Sequence, residues 1–195
     1  MDVVLIRHAR PDVAAGICYG SLDVPLAAPS SPTPARIAAA LRDVPPHRLI
    51  ASPMRRAQQT ADGIMTACAG LPAIETEPLL REMDFGEWEG RAWDDIPRHD
   101  LDAWAADLHH ARPHRGESAA QASARVMAWA EGLDVSRDEC LWVVGHAGPM
   151  RLLASHWLGV PLAAALGWEL GYGASSCVRL GPHAPRLVWW NRPAG

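Results

Sequence analysis

Val3-Val4-Leu5-Ile6-Arg7-His8 opens the chain as a buried strand that ends on a guanidinium and an imidazole. The apolar part is short, β-branched and uninterrupted, which is the mark of a strand covered on both faces. The same plan recurs twice. Arg48 to Ser52 reads as a second strand and runs into Ser52-Pro53-Met54-Arg55-Arg56; Cys140 to Val144 reads as a third and runs into Gly145-His146. Helical patterns lie between them. Thr33 to Val44 carries Ile37, Ala40, Leu41 and Val44 on one face and is stopped by Pro45-Pro46. Ser52 as N-cap and Pro53 at the first helical position predict a helix to about Cys68. Ser118-x-x-Gln121 is a capping box for a helix to Leu133, and another helix runs from Gly148 to Leu158. Trp93 to Leu108 is helical with a break near Pro97. Ile74 to Glu77 is a weak strand, and Ser176–Leu180 with Arg186–Trp190 forms a hairpin. Strands alternating with helices predict an α/β fold: a three-layer α/β/α domain, residues 1–195, around a mostly parallel sheet.

Composition narrows the function. Hydrophobic residues make up 49% and charged residues 21%, ordinary for a globular protein, and the net charge is -4. A mildly acidic chain argues against nucleic-acid binding. All 18 basic residues are Arg. Without Lys, neither a Schiff base nor a P-loop is available, and every strong cation is a bidentate fork. Cys18, Cys68, Cys140 and Cys177 form no C-x-x-C pair and are expected as reduced thiols. The N-terminal apolar run is short and preceded by an acid, unlike a signal peptide. No run reaches the roughly 18 apolar residues of a membrane span. The expected location is therefore the cytoplasm. No H-E-x-x-H or close ligand set is present, so neither metal nor cofactor is expected.

In a parallel sheet, ligands sit beyond the carboxyl ends of the strands. Arg7, His8, Arg55, Arg56 and His146 all follow strands, and Arg55 and Arg56 fall in a helix's first turn, where an anion is favoured. Each residue alone is unremarkable; the conjunction points to a site that holds a phosphate and attacks it.

These residues lie in motifs that resemble the histidine phosphatase superfamily, the phosphoglycerate mutase-like proteins. Arg7-His8-Ala9 resembles its R-H-G motif. Ser52-Pro53-Met54-Arg55-Arg56-Ala57-Gln58-Gln59-Thr60 resembles S-x-L-x-R-A-x-x-T, which selects Arg56 over Arg55. Leu80 to Gly90 resembles L-x-E-x-x-F-G-x-W-E-G and carries an acid at Glu82; Gly116-Glu117-Ser118 and Val144-Gly145-His146-Ala147-Gly148 match two further segments. The resemblance implies a phosphoglycerate mutase-like fold and a phosphomonoesterase working through a phosphohistidine on His8. Glu82 would be acid and base, and Arg7, Arg56 and His146 would hold the phosphoryl group. Ala147, Tyr19, Trp88 and Glu117 are the further expected substrate contacts. Ala9 departs from the usual Gly and would cost about 1 kcal/mol or more at positive φ.

Some points stay open at this level. Glu87 and Glu89 rival Glu82. The stretch His109–Arg115 is either a mobile cationic rim that steers anions or a solvated loop. Six of the nine Trp (93, 104, 129, 142, 157 and 168) are read as core, whereas Trp88 would wall the pocket. Trp189-Trp190 covers an edge or makes a homodimer contact, with the balance on the dimer. The compact length and the Tyr19–Leu26 stretch resemble the α-ribazole phosphatase-like branch, with α-ribazole 5'-phosphate as the implied substrate. The alternatives are a phosphoglycerate mutase-type phosphotransferase and a non-catalytic phospho-ligand binding protein.

Overall fold

The computed structural model describes residues 1–195. Strands Asp2–Arg7 (β1), Arg48–Ala51 (β2), Ile74–Thr76 (β3), Cys140–Gly145 (β4), Ser175–Arg179 (β5) and Arg186–Arg192 (β6) form one sheet, ordered β3-β2-β4-β1-β5-β6. The pairings among β3, β2, β4 and β1 are parallel; β5 and β6 join antiparallel. The expected three-layer plan with a mostly parallel sheet is the observed one, and the predicted hairpin supplies the antiparallel edge.

Alternation along β1 shows how the layers arise. Val3 and Leu5 face one side, where Leu141 and Val143 join Ala122, Val126 and Trp129 of helix Ala119–Glu131 (α4) and Leu152 and Leu153 of helix Ala147–Leu158 (α5). Val4 and Ile6 face the other, against Ile37 of helix Pro34–Ala40 (α1) and Ala57, Ala61 and Ile64 of helix Arg55–Ala67 (α2). Burying one such side chain stabilises the fold by about 1.5–3 kcal/mol. Helix Leu162–Leu166 (α6) packs on α5 and adds Leu162 to the first of these cores, whereas Arg98–Ala106 (α3) has no buried residue. The α6 turn was not anticipated from the sequence; Pro161 precedes its Leu-Ala-Ala-Ala-Leu run.

Several local expectations are corrected. Helix α2 begins at Arg55 behind Met54, which offers no capping side chain, and not at Ser52-Pro53. The Ser52 hydroxyl is instead engaged by His146, so a tertiary contact outweighs the local cap. Helix α1 ends at Ala40, and Leu41 and Val44 finish it as a tightened turn. Leu79 to Gly90 contains two short 3₁₀ turns, Pro78–Leu80 and Gly86–Trp88. Among the Trp residues read as core, Trp129 and Trp142 are buried, whereas Trp93, Trp104, Trp157 and Trp168 are half-buried. No helix is long and apolar enough to cross a membrane. All four cysteines are free thiols.

Candidate active site

The site follows from strand order. Because β2, β4 and β1 are neighbours, their carboxyl ends open side by side. Arg7 pairs with Gly145, and the His8 amide donates to the Gly145 carbonyl at 3.0 Å. That register sets the His8 and His146 rings 5.2 Å apart. Ala51 pairs with Val144, which brings Ser52 alongside His146.

His8 is 1% exposed, and its Nδ1 lies 2.7 Å from the Ala9 carbonyl oxygen. A carbonyl can only accept, so Nδ1 carries the proton and Nε2 keeps a free lone pair. Burial first, then the Arg56 and Arg7 charges, hold the His8 pKa well below its ordinary value. The ring is therefore neutral at neutral pH. Ala9 does not have a positive φ; only Arg115 and Asn191 do among non-glycine residues. The strain expected from replacing Gly does not arise, and the Ala9 amide donates to Thr60 Oγ1 at 3.1 Å.

Arg56 is fully buried. Its two terminal nitrogens donate to the carbonyls of Leu22 and Gly20, each at 2.7 Å. Gly20 has to be glycine: its φ is +26° and a Cβ would sit 2.3 Å from Glu89 Oε1. Arg7 donates one terminal nitrogen to the Leu170 carbonyl. The Nε of both arginines, together with His146 Nδ1, are buried atoms without a partner. They are three of only six such side-chain atoms in the protein, and both guanidinium nitrogens are obligate donors. Unpaired buried donors are costly, so this cluster suits an anion.

Tyr19 flanks Arg56, with the guanidinium carbon 5.0 Å from its ring centre. The Tyr19 hydroxyl lies 3.2 Å from that of Tyr172. Burial and the Tyr172 hydroxyl push the Tyr19 pKa up, so the phenol stays protonated. Tyr172 was missed by the sequence reading. Its ring lies 3.9 Å under the Arg7 guanidinium carbon and 5.7 Å from the His8 ring. The available signal was slight: it is one of only two Tyr, set between Gly171 and Gly173 before a strand.

His146 is fully buried, and its Nε2 lies 2.7 Å from Ser52 Oγ. Burial, His8 and the arginines hold its pKa well below the ordinary value. Glu82 reaches the start of α5. Its Oε1 accepts from the Met83 amide at 3.0 Å and its Oε2 from the Gly148 amide at 3.4 Å. A Cβ on Gly148 would lie 2.3 Å from Glu82 Oε1, so the residue beyond Ala147 must be glycine for the carboxylate to fit. Ala147 is half-exposed in the first turn of α5.

The rival acids are occupied elsewhere. Glu87 is 61% exposed and bonded to Arg115 at 2.9 Å. Glu89 accepts from the Ser21 amide and hydroxyl and from the Phe85 amide, at 2.6, 3.0 and 2.9 Å. Glu117 is held by both Arg125 Nε and Nη2 at 2.8 Å. Trp88, placed at the pocket wall by the sequence reading, is 1% exposed and packs with Cys18 and Ile96 behind the loop. The His109–Arg115 stretch is also more fastened than a mobile rim. Arg112 Nε donates to the Gly116 carbonyl at 2.6 Å, and buried His114 lies 4.9 Å from the Trp88 ring.

Comparison with known proteins agrees with this geometry. The model of the histidine phosphatase superfamily (branch 1) matches residues 3–193. This chain belongs to that superfamily. It is 30% identical over 183 residues to the adenosylcobalamin/alpha-ribazole phosphatase of Escherichia coli (strain K12), covering 91% of this chain and 89% of that protein. It is 30% identical over 193 residues to a Yersinia enterocolitica protein named "Probable phosphoglycerate mutase GpmB", covering 96% and 80%. The crystal structure of the alpha-ribazole phosphatase from Shigella flexneri is similar with a TM-score of 0.85 at 28% identity, covering 98% and 96% of the two chains. The chain is an enzyme, a histidine phosphatase.

Proposed function

We propose that this histidine phosphatase hydrolyses a small phosphomonoester, α-ribazole 5'-phosphate, through a phosphohistidine on His8. The observation that carries the mechanism is the set of unpaired buried nitrogens, Arg7 Nε, Arg56 Nε and His146 Nδ1, beside a neutral His8 whose Nε2 is free. In the first step His8 Nε2 attacks phosphorus and the ester P–O bond breaks. Glu82, protonated, gives its proton to the leaving oxygen. In the second step the Glu82 carboxylate takes a proton from water, the oxygen attacks phosphorus, and the N–P bond breaks to release inorganic phosphate. Arg7, Arg56 and His146 hold the phosphoryl oxygens as charge builds. Tyr19, Tyr172 and Ala147 border the phosphate cradle. Glu117 and Trp88 act from behind it, the first by fixing Arg125, the second by supporting the Glu82 loop.

The relatives named alpha-ribazole phosphatases support the substrate assignment. A second reading, phosphotransfer of the mutase kind, draws on the GpmB-named relatives. A mutase returns its phosphoryl group to a second substrate oxygen, whereas a phosphatase releases it to water. Ranking a panel of phosphomonoesters by kcat/KM while measuring released phosphate separates the two. The expected result is stoichiometric phosphate release with α-ribazole 5'-phosphate ranked first; isomerised ester without free phosphate would refute it. A protein that only binds phospho-ligands would give neither.

Residues 1–195 act in this reading as one domain without metal or cofactor, in the cytoplasm, supported by one continuous sheet and four free thiols. A homodimer through the β6 edge is supported by Leu187 and Val188, 39% and 40% exposed. The Trp189 and Trp190 indoles donate to Ser175 Oγ and to the Glu169 carbonyl of the same chain. Sedimentation at micromolar concentration tests the dimer.

A further inference from the structure

Ser52 has an unusual position for a residue at a helix entrance: it is fully buried, and a long contact to the Met54 amide is all that remains of a capping role. Its amide donates to the Val144 carbonyl at 2.9 Å, and its carbonyl accepts from Gln58 Nε2 at 2.7 Å. The residue is thus pinned from both sides. Its hydroxyl has two neighbours, the Met54 amide at 3.4 Å and His146 Nε2 at 2.7 Å. The amide can only donate, so it takes a hydroxyl lone pair. The single hydroxyl proton then has one acceptor within reach, His146 Nε2. Were Nε2 protonated instead, the buried hydroxyl proton would have no acceptor, a penalty of about 1–3 kcal/mol.

We infer that Ser52 is a positioning residue that selects the Nδ1–H tautomer of neutral His146 and thereby turns its unpartnered buried nitrogen into a phosphoryl-oxygen donor. This deepens the reading of the site given above and rests on it. It explains two observations together: why α2 starts at Arg55 while the short contact of the Ser52 hydroxyl is to His146, and why His146 Nδ1 is left without a protein partner. A neutral imidazole has one donor and one acceptor, and which is which is set by the partner of the other nitrogen. With Ser52 donating to Nε2, the donor must be Nδ1.

The direct test needs no substitution. Nitrogen-15 spectra of the imidazole rings, with the His146 signal identified by its loss in His146→Gln, should show Nδ1 protonated and Nε2 as acceptor in the wild-type protein. A wild-type His146 protonated at Nε2 would overturn the inference. Ser52→Ala should then give mixed tautomers and lower kcat roughly 10- to 100-fold, the range for partners behind a first layer of contacts. KM should change less. Ser52→Thr, which keeps the hydroxyl, should restore both the tautomer and kcat. Unchanged tautomer and kcat in a folded Ser52→Ala would also overturn it. His8→Ala is assayed in parallel to keep the two readings apart. Persistent hydrolysis without His8 would refute the phosphohistidine reading, while the His146 spectrum would still decide the role of Ser52.

Discussion

At the carboxyl ends of β1, β2 and β4 the protein buries Arg56, His8 and His146 beside Arg7, and no carboxylate lies within ion-pair distance of them. At the amino ends of the same sheet the guanidiniums are matched. Arg48 holds Glu75 at 2.6 Å, Arg179 holds Asp2 at 2.6 Å and Arg137 holds Glu139 at 3.2 Å. A cavity of about 780 Å³, bordered by Asp2, Glu139, Arg179 and Arg186, lies at the matched end. A sizeable cavity therefore does not by itself mark the chemistry in this protein. What marks it is buried polar capacity of one sign left unspent. An end whose arginines are paired with carboxylates is already stabilised without a ligand, with only Glu139 Oε2 left unpartnered there, whereas the other gains the acceptors for its three unpartnered nitrogens only when a phosphate arrives.

The sharpest way to break that contrast is to remove the nucleophile. His8→Ala should lower kcat/KM for any phosphomonoester by about 10⁴-fold or more, as for loss of an essential nucleophile elsewhere. Phosphate release over time reads it, and substantial residual turnover would refute His8 as the nucleophile the unspent donors serve. Glu82→Gln comes next. It should cost roughly 10²- to 10⁴-fold with an alkyl phosphate and much less with p-nitrophenyl phosphate, whose leaving group needs no proton. If Glu87→Gln or Glu89→Gln gave that leaving-group pattern instead, the acid assignment would move to that residue.

A matched pair of arginine substitutions then compares the two ends directly. Arg56→Ala removes a donor from the unspent set and should lower kcat by about 10²- to 10³-fold, the loss typical of one oxyanion donor. It also strands the Gly20 and Leu22 carbonyls, so the melting temperature should fall. Arg179→Ala, at the matched end, should leave kcat/KM unchanged. An activity loss at Arg179 equal to that at Arg56 would mean that the two ends are not functionally distinct.

How much of this was legible in the sequence follows from where each signal resides. Strands β1, β2 and β4 were readable because short β-branched runs report burial locally, and the exits at Arg7-His8 and His146 came with them. Arg56 was readable through the motif resemblance, which preferred it to its neighbour Arg55; the structure buries Arg56 and leaves Arg55 exposed. Ser52 was misread because its local signal, Ser-Pro before a helix, competes with a contact 94 residues away. Tyr172 carried only the slight local signal of a rare Tyr between two glycines. It reaches His8 only because β5 joins β1 antiparallel, which returns the chain to the same end of the sheet. Trp88 was read as a pocket wall, whereas the structure buries it with Cys18 and Ile96, since the direction of a side chain in an irregular segment is set by tertiary packing.

The smallest expected effects are on stability, and they separate the two ends by pH. His8 and His146 are buried and neutral, with pKa values held well below the ordinary histidine value of about 6.5. In the unfolded chain they take up protons near that value; in the folded chain they do not. The unfolded state therefore binds more protons in this window, and stability falls as pH drops below about 6.5, by up to about 1.4 kcal/mol per pH unit for each histidine. Asp2 behaves differently. Its pKa is lowered from an ordinary value near 3.8, first by the Arg179 hydrogen bond, so its contribution is present above that value and lost as pH falls through the folded one. Both partners are partly exposed, and solvent limits the pair to at most about 1 kcal/mol. Chemical denaturation between pH 8 and 3 should thus show two declines, a larger one starting near neutrality and a smaller one in acid. Adding inorganic phosphate should oppose the first, because a ligand for the folded cradle stabilises it by mass action, and should leave the second alone. Asp2→Asn should weaken only the second, which Glu75, its pKa lowered by the Arg48 hydrogen bond, also feeds. If phosphate protected both equally, or neither, the catalytic end would not be the one with unspent donors.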